Sequence, residues 1–403
     1  MDFKIIFVII KYYSIFIKRM ETIMKKVKIG IIGIGGMGQA HANVIKQIEE
    51  AELVAVCDTE ETRAKQVAEQ HAVKYFTDHR KLIDSGITEA VIIATPHYFH
   101  PEIAVYAMEK GLHVLSEKPI AVTVKQADAM VEAAKKTGRV FAVMYQMRNR
   151  GLFIAAKQII ADGRLGEIKR TLLSNPWYRS QAYYDSGLWR ATWKGEGGGV
   201  LINQAPHMID IFIMLAGLPK KFQAKVRTRL HNIEVEDEVS VFLEYENGAW
   251  GYYYTSTNEV PCISYLEIAG DKGKMILTDT QLKFFSTSIP ISEFTVTNKS
   301  MWASPEVTEQ QINIPETDAS HGTIIKNFCR AITDGESLIA PGIEGLKSVE
   351  FINACLLSGL KNKTVETPVD RDEYDKFIGE MIEKSRNKKT LHPQIQTDPN
   401  IKK

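Results

Sequence analysis

Cysteine is scarce: the 403 residues hold four, Cys57, Cys262, Cys329 and Cys355. They lie far apart with no C-x-x-C pair and no zinc-type spacing, which excludes a disulfide scaffold and a cysteine-built metal centre. Mostly set in apolar runs, they read as reduced core thiols of a cytoplasmic protein. An excess of charge is missing too. Fifty basic residues stand against forty-nine acidic ones, a net of +1, so no field of one sign draws nucleic acid or an anionic membrane. A small neutral substrate suits that balance. Membrane-length apolar runs are also lacking: Ile5 to Ile10 is an apolar stretch of six residues, far short of the ~20 needed to span a bilayer. Lys11, Lys18 and Arg19 break up the residues after it. No small-residue cleavage site precedes Met24, which argues against a leader: translation is expected to start at Met24, and otherwise residues 1–24 are a loosely ordered amphipathic extension.

What is present is length and alternation. The chain exceeds the ~250 to 300 residues at which a single core stops growing, so two domains are expected. From Met24 onward, strand patterns at Val27–Ile32, Leu53–Cys57, Ala90–Ala94, Gly111–Ser116 and Arg139–Met144 alternate with helical patterns starting near Met37, Thr62, His79, Pro101 and Thr123. Such alternation predicts a doubly wound parallel sheet over residues 25–147. Beyond it, a helix near Leu152–Asp162 is followed by strand patterns at Lys169–Ser174, Phe222–Thr228, Glu238–Tyr245, Ala249–Thr255 and Ser264–Ala269. Successive strands without intervening helices predict an open, largely antiparallel sheet within a second α+β domain over 148–385. Helical patterns return at Ala319–Thr333 and Ile343–Gly359, and residues 386–403 form a polar tail. The fold class is therefore α/β.

The chemistry starts at Gly33-Ile34-Gly35-Gly36-Met37-Gly38, which follows the continuous apolar strand Val27–Ile32 and opens a helix. In that context Gly33 permits the sharp turn, Gly35 lets a pyrophosphate approach the backbone, and Gly38 lets the helix pack while its N-terminus meets the phosphates. Gly36 and Met37 complete the expected cradle. Asp58 ends the second strand ~20 residues on, where a carboxylate accepts from ribose hydroxyls. It favours NAD, while Arg63 leaves room for the extra phosphate of NADP.

These residues, together with Ala94-Thr95-Pro96, Glu117-Lys118-Pro119 and Gly197-Gly198-Gly199-Val200-Leu201-Ile202-Asn203-Gln204-Ala205-Pro206-His207-Met208-Ile209-Asp210, resemble the Gfo/Idh/MocA oxidoreductases. The resemblance runs from Met24 to about Glu383. It implies a Rossmann domain followed by an α/β domain whose open sheet often joins subunits, so a homodimer or homotetramer is expected through that sheet. It also implies that Thr95 and Pro96 line the nicotinamide side of the cofactor.

Lys118 follows a strand, and Pro119 holds it extended, aiming its side chain from the strand's carboxyl end. An amine there can polarise a reacting oxygen, and burial beside a cationic ring would lower its pKa. Glu117 reads as a positioning residue. Asn203, His207 and Asp210, at spacings of four and three, are expected on one face of one helix. His207 is the candidate general base. Asn203 departs from the family, which commonly carries an acid there, so the proton route is open at this point; Asp210 either orients His207 or pairs structurally. Trp177, Tyr178, Arg179, Tyr183, Tyr184, Trp189, Arg190 and Trp193 form an aromatic and polar stretch suited to a sugar ring. Its aromatics equally suit packing at the domain junction. Tyr145, Gln146 and Arg148 are placed beside the same cleft. His97 and His100 lack a third ligand, so they are expected at a helix entry or in solvent and no metal is expected.

The implied activity is hydride transfer between a nicotinamide and a secondary alcohol of a sugar, cyclitol or sugar derivative. Two competing readings use the same residues: a glycoside-cleaving enzyme that oxidises the sugar transiently before elimination, and a non-catalytic NAD or sugar sensor.

Overall fold

The computed structural model describes residues 26–385; the expected extension over 1–24 and the tail over 386–403 lie outside the described residues. Six short strands, β1 (Val27–Ile32), β2 (Ala51–Cys57), β3 (Lys74–Phe76), β4 (Ala90–Ile93), β5 (His113–Ser116) and β6 (Phe141–Val143), form the first sheet. Between them run helices α1 (Gly36–Ile45), α2 (Glu61–His71), α3 (His79–Asp84), α4 (His100–Glu109) and α5 (Val124–Thr137). Every pairing is parallel, in the order β3-β2-β1-β4-β5-β6. Helices cover both faces, which is why β4 is buried at all four positions and reads as an unbroken apolar run. The order reverses between β1 and β4, and the crevice outside the carboxyl ends of strands at such a reversal is where ligands bind.

The second sheet follows helix α6 (Gly151–Ala161) and starts with β7 (Ile168–Ser174). After α7 (Gln181–Asp185), α8 (Val200–Asn203) and α9 (Pro206–Ala216) come β8 (Lys221–Arg227), β9 (Glu238–Glu244), β10 (Trp250–Ser256), β11 (Tyr265–Gly270), β12 (Gly273–Thr278) and β13 (Leu282–Thr287). Helix α10 (Ile291–Thr297), β14 (Val307–Gln310), α11 (His321–Thr333), α12 (Gly342–Lys361), β15 (Val365–Glu366) and α13 (Arg371–Lys384) complete the described residues. The nine strands lie in the order β14-β13-β12-β11-β7-β10-β9-β8-β15, antiparallel except where β7 meets β10. Alternation sets the two faces. Val239, Val241, Leu243 and Tyr253 point inward, whereas Phe242, Trp250 and Tyr252 stand exposed on the other face.

Helix α12 ties the sheets together. Its Asn353 accepts from Val124 N and donates to Val122 O, both at 2.9 Å and both buried, so a side chain from one unit caps a helix entry in the other. Helix α11, read from sequence within the second domain, packs on the first sheet: Ile324, Ile325, Phe328 and Cys329 share a core with Ile29, Ile31 and Leu115. An Arg330–Glu50 ion pair at 2.8 Å flanks that contact.

Some expectations fail for physical reasons. Strands β12, β13 and β14 and helix α13 escaped the sequence reading. Asp370 caps α13 by accepting from Glu373 N, but a charged run hides the apolar positions Tyr374, Phe377 and Ile378. Cys262 is exposed, although Cys57, Cys329 and Cys355 are buried. Asn203 and His207 do not share one helix. Pro206, with no N–H to give and a ring that blocks the preceding turn, opens α9 afresh after α8 ends at Asn203. Among the described residues no helix is long and apolar enough to cross a membrane.

Candidate active site

The glycine turn has the geometry its sequence implies. Gly33 has φ +90°, and a Cβ there would lie 2.7 Å from the Ala94 backbone; at Gly38 a Cβ would lie 1.9 Å from the Gly33 carbonyl oxygen. Gly35 and Gly36 face open space, with nothing within 4 Å of an added Cβ. Among the described residues no side chain caps α1 at Gly35, and Met37 stands exposed beside it. Uncapped N–H groups at a helix start next to an open cradle fit a pyrophosphate. Asp58 sits at the tip of β2, where Oδ2 accepts from Ile34 N at 2.9 Å and Arg63 Nη1 donates to both carboxylate oxygens at 3.1 and 3.2 Å. The Asp58 side chain is 9% exposed, whereas Arg63 is 41% exposed. The first sheet therefore fits a dinucleotide.

Two turns close over the carboxyl ends of β4 and β5. His100 lies between them, its ring nitrogens 2.7 Å from Thr95 O and 2.9 Å from Pro119 O. His97 opens a short helix and His100 starts α4, the expected helix entries, and both are buried rather than solvent-exposed. Thr95 Oγ1 is buried and has no hydrogen-bond partner among the described residues. Pro96 leads into the short helix that carries His97.

Glu117 and Lys118 leave β5 in opposite directions. Glu117 lies 2.7 Å from His41 Nε2, on the first turns of α1, and also accepts from Lys118 N at 3.2 Å. Burial pushes the Glu117 carboxyl up, but the His41 hydrogen bond and the charges of His41 and Lys118 outweigh it and hold the group at about 2. His321 stacks edge-on against His41, ring centres 5.3 Å apart. The Lys118 peptide to Pro119 is cis, and its Nζ donates to the Asn203 main-chain carbonyl at 2.9 Å. Burial lowers the Lys118 amine, with Glu117 and Glu196 pulling the other way.

The glycine run before α8 explains how Asn203 reaches that lysine. Gly197 has φ +86°, and a Cβ on Gly199 would lie 1.9 Å from the Glu236 carbonyl oxygen. Glu236 receives N–H groups from Gly199 at 2.9 Å and Leu201 at 3.0 Å, fixing the start of α8. Asn203 Nδ2 donates to the Glu196 carboxylate. His207, in the first turn of α9, is pushed down to about 3 by burial and then by the Lys118 charge, so its ring is neutral at physiological pH. Its Nδ1 has no hydrogen-bond partner among the described residues, and the Tyr145 ring meets the His207 ring edge-on, centres 6.1 Å apart.

The other expected substrate residues divide. Trp189 and Arg190 stay half-buried near His97, with the Arg190 guanidinium 4.6 Å from the Trp189 and Tyr183 ring centres. Arg179 also lies over Tyr183, 5.0 Å from its ring centre. Trp193 instead packs the junction, donating from Nε1 to Glu234 O and lying against Phe377. Asp210 neither orients His207 nor faces the cleft: both its oxygens take Arg148, at 2.6 and 2.7 Å, in a buried pair. Sequence reasoning missed His41, Glu196, Glu236 and His321. Glu196 adjoins the glycine run and His41 follows Gly38 by three positions, so both carried a local signal; His321 carried none.

A parallel sheet with this crevice, an open glycine cradle, and a lysine and histidine at its carboxyl edge define a nicotinamide-dependent oxidoreductase. Sequence comparison agrees. A model described as "Oxidoreductase family, NAD-binding Rossmann fold" matches residues 27–145, and one described as "GFO/IDH/MocA C-terminal domain" matches 153–276. The chain belongs to the Gfo/Idh/MocA oxidoreductase family. It is 28% identical to glucose-6-phosphate 3-dehydrogenase of Bacillus subtilis, over 61% of this chain and 72% of that protein. It is 26% identical to levoglucosan dehydrogenase of Pseudarthrobacter phenanthrenivorans, over 86% of this chain and 99% of that one. Among solved structures, the WlbA dehydrogenase of Bordetella pertussis, in complex with NADH and UDP-GlcNAcA, superposes with a TM-score of 0.72 at 26% identity, covering 86% of this chain and all of that chain.

Proposed function

We propose that the chain oxidises or reduces one secondary alcohol carbon of a sugar, cyclitol or sugar derivative, with NAD and, less favoured, NADP as cofactor. The observation that carries the reading is the meeting of Lys118 with Asn203, beside a neutral His207, at the carboxyl edge of the first sheet. Gly33, Gly35, Gly36, Met37, Gly38, Asp58, Thr95, Pro96 and Glu117 would hold the cofactor. When bound, it supplies the hydride-exchanging ring, and the protein supplies orientation and electrostatics.

His207 takes the hydroxyl proton on a ring that starts neutral. Lys118 faces the developing oxygen charge from a buried position, where a fixed cation acts strongly. Asn203 and Tyr145 border that oxygen, while Trp189 and Arg190 offer a ring face and donors to the remaining hydroxyls. The division of the chain at about residue 147 into cofactor and substrate units belongs to the same proposal. So does assembly as a homodimer or homotetramer, supported by the exposed Phe242, Trp250 and Tyr252 on the second sheet. The free thiols support a cytoplasmic setting.

The relatives reported above carry dehydrogenase names, which does not favour the glycoside-cleaving alternative. Reduction of NAD and NADP against a panel of inositols, aldoses, levoglucosan and aryl glucosides tests the proposal. Aglycone release from the glucosides without turnover of any free polyol would sink it.

A further inference from the structure

Glu196 is 1% exposed and directly precedes the glycines that lead to Asn203. One oxygen accepts from Asn203 Nδ2, and the other from Ala191 N at 2.5 Å. Ala191 has φ +53°, a left-handed conformation that a residue with a Cβ adopts reluctantly, so the carboxylate clamps a strained turn beside Trp189 and Arg190. The Glu196 main-chain oxygen lies 3.2 Å from His97 Nδ1. Glu196 is thus held by three separate pieces of the cleft wall.

An asparagine amide has a donor end and an acceptor end, and a carboxylate can only accept. Glu196 therefore settles which way Asn203 faces. Nδ2 gives one of its two hydrogens to Glu196, and Oδ1 is left as an acceptor with no hydrogen bond among the described residues. The same asparagine gives its main-chain carbonyl to Lys118 Nζ at 2.9 Å. One residue thus links a buried carboxylate to a buried amine.

We infer that Glu196 is a positioning residue of the active site: it turns the Asn203 oxygen toward the reacting hydroxyl and holds a negative charge beside Lys118. The inference rests on the dehydrogenase reading of the same site. Several charged and titratable groups share the region. Arg179 and Arg190 lie near enough to Lys118 to lower its amine further; Glu117 is engaged by His41; Glu236 lies across the glycine run, pushed up to about 7 by burial, with Glu196 adding to the rise; and His97 is held neutral by burial. Among these carboxylates, Glu196 alone contacts the asparagine that binds Lys118.

The test is a charge swap. Glu196→Gln removes the carboxylate, Asn203→Asp places two carboxylates in contact, and the double variant restores one amide and one carboxylate in exchanged places. Turnover of levoglucosan, scyllo-inositol or methyl glucoside, whichever the wild type oxidises, should fall at least ~10-fold in kcat for each single variant. The double variant should recover most of that loss, with NADH affinity unchanged throughout. Wild-type turnover in E196Q, or losses that simply multiply in the double variant, would overturn the inference.

If E196Q does not fold, N203D decides alone. Two carboxylates in contact share a proton, so its turnover should survive at low pH and fall as that proton leaves; a profile matching the wild type would count against the inference. A wild type that oxidises none of the probes refutes the dehydrogenase reading instead. In that case the Lys118 amine is titrated by NMR with labelled lysine. E196Q should lower its pKa and the double variant should restore it, and no change would overturn the inference.

Discussion

Lys118 and Asn203, 85 positions apart in the chain, are joined by a 2.9 Å hydrogen bond from the lysine Nζ to the asparagine main-chain oxygen. The bond crosses from the end of a strand in the first sheet to the end of α8, which the second domain positions. Burial has already weakened the hold of this amine on its proton. A substrate oxygen that competes for it meets a donor already in place, and forming the contact costs little reorganisation.

Lys118→Met keeps the stem and removes that donor. Turnover is expected to fall roughly 10²- to 10³-fold, the usual effect of losing one preorganised donor. NAD affinity should stay within about twofold, because the cradle lies on β1, α1 and β2. Stopped-flow turnover alongside NAD titration checks both. Unchanged turnover would remove Lys118 from the chemistry.

His207→Gln should cost about 10²- to 10⁴-fold in kcat, the range for a general base. The pH profile carries more information. Burial, then the neighbouring Lys118 charge, pushes His207 down to about 3, so the neutral, proton-accepting form persists as pH falls from 8 to 5. The acid limb of kcat/KM from this group should therefore lie near pH 3. A limb centred near the unperturbed ~6.5 would mean that the ring is solvated in the working enzyme.

Much of this site was legible because its parts are local. Gly33 to Gly38 is a turn whose steric needs fall within six residues, and Lys118 is placed by the strand before it. The failures are long-range or masked. Pro206 was read as part of a motif rather than as the break that separates Asn203 from His207. Asp210 has helical spacing to His207, yet its partner Arg148 lies 62 positions away. His321 reaches His41 only because α11 folds back onto the first sheet, which no local pattern encodes. Strand β14 alternates weakly because three of its four residues are exposed.

Cofactor preference should turn on the Asp58–Arg63 pair. Asp58→Asn removes the charge that accepts from the ribose and releases Arg63 toward a 2′-phosphate. The kcat/KM ratio of NAD to NADP is expected to drop at least ~10-fold, or about 1.4 kcal/mol. Arg63→Ala should move the ratio the other way. Steady-state kinetics with both cofactors decides it, and an unmoved ratio in both variants would place specificity elsewhere.

Arg148 tests the opposite kind of contact, one made for stability. Its guanidinium grips both oxygens of Asp210, with side chains 6% and 2% exposed, and reaches Glu344 at 3.1 Å. Arg148→Met would leave the Asp210 charge buried without its partner, which costs roughly 3–5 kcal/mol. Urea unfolding of the NAD-free protein should register that loss. Arg148→Met combined with Asp210→Leu should regain most of it, since an apolar pair of similar volume avoids the stranded charge. Equal losses in the single and double variants would show that Arg148 acts through Glu344 or through its packing over Tyr145, 5.9 Å away, rather than through Asp210. That last case would tie the pair to the ring that borders His207, and turnover would then fall in step with stability.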